Sequence, residues 1–154
     1  MLAVDTETTG PNPYKGDQVY AVSACNSYGT YWYWQFKVDP FTRKVNYDPS
    51  TVEDIQLLLD SYIPVYHNAL FDLKMMSCMG IKIPSFYHDT LPASHIYNSN
   101  ISHNLKDLAY LLLDIKDDDE TKFLDLMAKE RRIRKKEYCW NLTEPFKGAK
   151  GRNY

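Results

Sequence analysis

Asp5-Thr6-Glu7 places two carboxylates one residue apart, directly after the apolar run Met1-Leu2-Ala3-Val4. Alternate side chains of an extended strand share a face. Asp5 and Glu7 are therefore expected to project together from the end of a first strand. Adjacent acids repel each other unless a cation sits between them, and hard carboxylate oxygens suit Mg²⁺ or Mn²⁺. The competing reading is a strand end with two solvated acids. Thr6 alternates to the other side, toward the core or a neighbouring strand. Thr8 and Thr9 lead into a turn at Gly10.

A second cluster is Val65-Tyr66-His67-Asn68-Ala69-Leu70-Phe71-Asp72. Asn68 and Asp72 are one helical turn apart and share a face. Asp72 is then a third acid aimed at the same metal site, with Asn68 at the strand–helix junction. Alternatively, Asn68 caps the helix and Asp72 complements its positive N-terminal end. Phe71 fits packing under the helix better than contact with a ligand. His67 reads first as a structural histidine.

These groups need elements to hold them. Gln18 to Cys25 and Thr30 to Val38 are rich in β-branched and aromatic residues, and Asn26-Ser27-Tyr28-Gly29 between them has turn chemistry, which predicts a hairpin. The aromatic run Tyr31 to Phe36 predicts a strand covered on both faces. A helix opens at Asp48-Pro49-Ser50-Thr51, with Ser50 or Thr51 as cap and Ile55, Leu58 and Leu59 as its apolar stripe. Tyr62 to Tyr66 reads as a buried strand. Asn68 to Met79 reads as a helix closed by Gly80. His88-Asp89-Thr90 hands a brief strand to a helix over 91–98, with Asp89 as N-cap. Further helices are expected over 104–113 and 119–136, and residues 137–154 as a loop or tail. Leading hairpin strands followed by alternating helix and strand indicate one α/β domain with a mixed sheet.

The chain has 154 residues and a net charge of −2, so bulk charge does not announce a nucleic-acid binder. Thirteen Tyr argue for a packed chain rather than disorder. Cys25, Cys78 and Cys139 have neither zinc-site nor disulfide-framework spacing, which points to a reducing, cytoplasm-like compartment. No apolar run approaches a membrane span. The basic run 129–136 could meet phosphates, or it could be a solvated helix face balancing the acids at 117–120.

Asp-x-Glu at the end of a first strand, followed by Asn68-x-x-Phe71-Asp72 after a buried strand, resembles the first two motifs of the DEDD 3′–5′ exonuclease superfamily, which has a ribonuclease H-like fold. His88-Asp89-Thr90 and Ser102 to Ala109 are similar to segments in the proofreading domain of family A DNA polymerases, and 117–140 is similar to phage-type members. The resemblance covers most of residues 1–140. It implies hydrolysis of a phosphodiester at the 3′ end of single-stranded DNA by two Mg²⁺ or Mn²⁺ ions about 4 Å apart. Asp5 would bridge both ions, Glu7 would hold one and orient the terminal nucleotide, and Asp72 would hold the second. Thr6, Thr8, Asn68 and Phe71 would lie along the substrate. A DNA polymerase domain or subunit is the implied partner, and the cytoplasm of a phage-infected bacterium a plausible setting.

The superfamily's third motif, Tyr-x-x-x-Asp or His-x-x-x-x-Asp on a late helix, is the point of departure. Tyr110 and Asp114 have the spacing but lie too early, and read better as ordinary helix residues. His103 to Asp107 is one residue short. Tyr138 is late enough, but Leu142 stands where the acid belongs. The chain is therefore expected to stop before its final catalytic helix. Two other readings stay open: a non-catalytic ribonuclease H-like module that binds a primer end or a polymerase, and an exonuclease acting on short RNA.

Overall fold

The structure is a computed structural model, and it describes residues 1–39 and 41–115. Strand β1 (Leu2–Thr8) is the centre of the fold. Its alternation is strict: Leu2, Val4 and Thr6 are buried, whereas Ala3, Asp5 and Glu7 are exposed. β2 (Val19–Asn26) pairs antiparallel with β1, and β3 (Tyr31–Gln35) pairs antiparallel with β2. The strand expected over 30–38 ends at Gln35; Lys37–Val38 forms a separate strand, β4, in a small ribbon with β5 (Val45–Asn46), which the sequence did not suggest. On the other side of β1, β6 (Pro64–Tyr66) and β7 (His88–Asp89) run parallel. The order β3-β2-β1-β6-β7 is the mixed sheet expected.

Helices fill the intervals. Asp48 caps α1 (Pro49–Ser61), accepting from the Thr51 N–H, with Pro49 preset for the first helical position. The cap is thus Asp48, not Ser50 or Thr51, because those hydroxyls donate to the same carboxylate. α2 (Ala69–Cys78) ends where Gly80 takes φ 96°, a left-handed conformation that glycine adopts without Cβ strain. A 3-10 turn at Pro13–Lys15 and the helices α3 (Thr90–Tyr97) and α4 (Leu105–Leu113) complete the described elements.

The core joins Leu2 and Val4 of β1 and Val22 and Ala24 of β2 to Ile55 and Leu59 of α1 and Leu73, Met75 and Met76 of α2. Trp32 is paired across the sheet with Ala24, and Trp34 with Val22; both tryptophans are half-buried against this cluster. The opposite side of β3 departs from expectation, with Tyr31 79% and Tyr33 58% exposed. Among the described residues β3 is an edge strand, paired with β2 alone, and its exposed side lies opposite the tryptophan face that meets the core. The helix expected over 119–136, the tail over 137–154 and Cys139 lie outside the described residues. Cys25 and Cys78 are free and exposed. No helix among the described residues is long and apolar enough to cross a membrane.

Tyr66 is 1% exposed and makes an edge contact with the Tyr87 ring, yet its hydroxyl has no hydrogen-bond partner among the described residues. A buried unpaired hydroxyl costs free energy that a phenyl ring does not. Tyr66→Phe is expected to leave stability unchanged or raise it by up to about 1 kcal/mol in urea unfolding. A clear loss of stability would mean that the hydroxyl is paired.

Candidate active site

Asp5 and Glu7 share the open face of the sheet, as strand alternation requires. Asp5 is in register with Ser23 of β2, and Ser23 with Tyr33 of β3. The β1–β2 register shifts between Glu7 and Thr8. Such an irregularity re-aims side chains where a strand ends. Asp5 lies on the floor of a cleft of about 610 Å³, with Tyr31 and Tyr33 on one side and His67, Thr90 and Leu105 on the other. Burial first, and the charge of Glu7 second, push the Tyr33 phenol above its ordinary range.

Just past Glu7 the chain turns back tightly. The Thr9 hydroxyl accepts from the Gln18 N–H, and the Asp17 carboxylate accepts from the Asn12 N–H. A Cβ on Gly10 would lie 2.5 Å from that carboxylate, so any other residue there would displace the Asp17 side chain from its bond to Asn12.

Asp72 enters from the opposite face. It sits in the first turn of α2 and is 3% exposed. The Thr6 hydroxyl donates to its Oδ1 at 2.7 Å. Burial raises the Asp72 carboxyl to about 6; the Thr6 bond opposes the shift, and the charge of Asp5 adds to it. Asp72 is therefore within electrostatic reach of Asp5, but its hydrogen bond is to the residue between the two acids. Among the described residues no three His, Cys, Asp or Glu side chains gather closely enough to hold an ion.

The other expected residues divide. Thr6 is not at a surface where substrate could meet its side chain: it is buried and spent on Asp72. Thr8 is half-buried at the end of β1. Asn68 is exposed at the N-terminus of α2, and its side chain makes no cap bond. Phe71 is half-buried against the core, as packing under the helix predicts. Tyr110 is exposed on α4. Asp114 does not continue that helix: it is the C-cap at φ 53°, so the two do not form a shared helical face. His67 is held at both ring nitrogens. Its Nε2 lies 2.9 Å from the His103 carbonyl, which can only accept, so that nitrogen carries the proton. Its Nδ1 lies 2.9 Å from the Thr90 hydroxyl.

Two supports were not read from the sequence. Thr6 was placed on the correct face, but nothing local names Asp72 as its partner 66 residues away. Asp89 was read as the cap of α3, which it is, but it also receives N–H groups from the start of α2.

Comparison with known proteins places this geometry. The family model described as 3′–5′ exonuclease matches residues 1–144. No curated protein sequence matches the chain. Among solved structures, Brucella melitensis NrnC with bound Mg²⁺ is similar at TM-score 0.60 and 27% identity, over 75% of this chain and 54% of that one. NrnC bound to pGG matches at TM-score 0.59 and 28% identity, over 75% of this chain and 53% of that one. The POL domain of Pol1 from M. smegmatis, in complex with DNA primer-template and dNTP, shares the fold at TM-score 0.56 and 16% identity, over 82% of this chain and 25% of that one. The chain spans about half the length of the NrnC structures it matches. The fold is ribonuclease H-like, and with a match that runs through both acidic motifs, the chain belongs to the 3′–5′ exonuclease family.

Proposed function

We propose that this chain is a divalent-metal-dependent 3′–5′ exonuclease domain that hydrolyses phosphodiester bonds at DNA 3′ ends, with Asp5, Glu7 and Asp72 as its acids. The observation that carries the reading is the buried Asp72 carboxylate, held by the hydroxyl of Thr6, the residue between Asp5 and Glu7. A cation would relieve that arrangement, and the hard oxygen donors of the three acids fit Mg²⁺ or Mn²⁺. Bound by Asp5, Glu7 and Asp72, two such ions would supply activation of the attacking water and stabilisation of the leaving 3′ oxygen. Asp5 and Glu7 hold the open-face side of the site, and Asp72 the helix side. Thr6 keeps the Asp72 carboxyl oriented by donating to its Oδ1. Asn68, exposed one turn before Asp72, is placed to meet the terminal nucleotide.

Editing of primer ends beside a family A type polymerase domain or subunit is the biological setting we infer, supported by the family match over residues 1–144. A second reading, an exonuclease on short RNA, is favoured by the likeness to NrnC bound to pGG. The test incubates the full chain with 5′-labelled single-stranded DNA, matched RNA and pGG, in Mg²⁺ and in EDTA. Stepwise shortening of DNA in Mg²⁺ alone is expected. Faster cleavage of pGG than of DNA would assign the short-RNA reading. Retention of all three without shortening, in Mg²⁺ and in Mn²⁺, would leave a binding module and overturn the nuclease.

A further inference from the structure

Helix α2 lacks an N-cap of its own. Asn68, at the cap position, lies at φ 75° and ψ 55°, a left-handed conformation that residues other than glycine adopt at a cost. Its side chain makes no cap bond. The first N–H groups of the helix would otherwise lack acceptors. The first of them, and the Asn68 N–H beside it, find acceptors on Asp89, which follows in the chain 21 residues after Asn68. The Asn68 N–H donates to Asp89 Oδ1 at 3.0 Å, and the Ala69 N–H to Oδ2 at 2.9 Å. The Leu91 N–H donates to Oδ1 as well, at 3.0 Å, which caps α3. Asp89 is itself fixed by the pairing of β7 with β6, in register with Tyr66. One carboxylate therefore closes two helices and holds the left-handed junction between β6 and α2.

Asp72 stands one turn beyond that junction, and its Oδ1 accepts from Thr6 of β1. The position of Asp72 against β1 depends on where α2 begins, and Asp89 sets that start. We propose that Asp89 is a positioning residue for Asp72, acting through the Asn68–Ala69 backbone. The role rests on the exonuclease reading for its meaning, although the geometry stands without it. It requires a carboxylate at this length. An amide would offer one acceptor and turn an NH₂ toward an N–H, and glutamate would overreach by a methylene.

The test uses the full chain with Asp89→Asn and Asp89→Ala, and Asp48→Ala as the control. Asp48 caps α1, so its loss also removes a helix cap but leaves the α2 junction untouched. In the metal-free protein, amide exchange at Asn68 and Ala69 is expected to quicken about tenfold or more in both Asp89 variants, and the Asp72 carboxyl ¹³C resonance to shift. Neither should change in Asp48→Ala. In the activity assay, the Mn²⁺ concentration for half-maximal strand shortening should rise about 10-fold or more. If Asp89→Ala fails to fold, Asp89→Asn carries every measurement. Folded Asp89 variants with wild-type exchange, an unmoved Asp72 resonance and an unchanged Mn²⁺ requirement would overturn the proposal. A wild-type chain that shortens no strand would overturn the exonuclease reading alone, because the exchange and resonance measurements still decide the positioning.

Discussion

Asp72→Asn is expected to abolish strand shortening while stabilising the metal-free protein above about pH 6. The two effects have one origin. Asp72 is buried, so its charged form is disfavoured, and its carboxyl is raised from 3.8 to about 6. Below about pH 4 it is protonated whether the chain is folded or not, and it makes no difference. As pH rises toward 6, the unfolded chain releases the proton first, and folding becomes progressively less favourable. Above about pH 6 the penalty is complete, at roughly 3 kcal/mol. Asparagine removes it and still accepts from Thr6. Urea unfolding in EDTA should therefore give a variant-minus-wild-type difference near zero at about pH 4 that grows to roughly 3 kcal/mol by about pH 8. A difference independent of pH would mean that folding does not raise the Asp72 carboxyl. Activity should fall about 10³-fold, since a neutral amide cannot replace an anionic ligand. Stability gained where activity is lost is the usual mark of a functional group held in an unfavourable place.

Asp5→Ala should have a comparable effect on activity and almost none on stability. Asp5 is exposed on the cleft floor, and truncation at an exposed position typically moves stability by less than about 0.5 kcal/mol. Removing its charge should also let the Asp72 carboxyl fall back part of the way, because Asp5 is one cause of the rise. Loss of Mg²⁺-dependent shortening by about 10³-fold is expected in a labelled-strand assay, with DNA retention measured by fluorescence anisotropy changed only modestly. Wild-type shortening by Asp5→Ala would remove Asp5 from the chemistry and with it the two-acid reading of β1. The pair of variants also separates roles: one changes the stability profile against pH, the other chiefly the activity.

Much of this protein follows from local rules. The alternation of Leu2, Val4 and Thr6 with Ala3, Asp5 and Glu7 determines the two faces of β1, because a period of two is intrinsic to an extended chain. The Asn26 to Gly29 turn and the apolar strands around it determine the hairpin, and Gly80 determines the end of α2. The two acidic motifs, read together, were enough to point to the exonuclease family. Local rules failed where a competing group was near. Asp48 displaced Ser50 and Thr51 as cap because one carboxylate accepts from both hydroxyls and from the backbone. The aromatic alternation of β3 gave no warning of its edge position, since composition does not state how many neighbours a strand has.

What only the tertiary structure decided is how the acids are held. Thr6 meets Asp72 across 66 residues, and Asp89 meets Asn68 and Ala69 across 21 and 20. Neither contact leaves a spacing in the sequence, because each arises when parallel strands β1, β6 and β7 bring three strand ends together. The types of the chemical groups were written locally. Their arrangement was not, because a buried carboxylate takes its partner from whichever donor the packed sheet and helix bring against it.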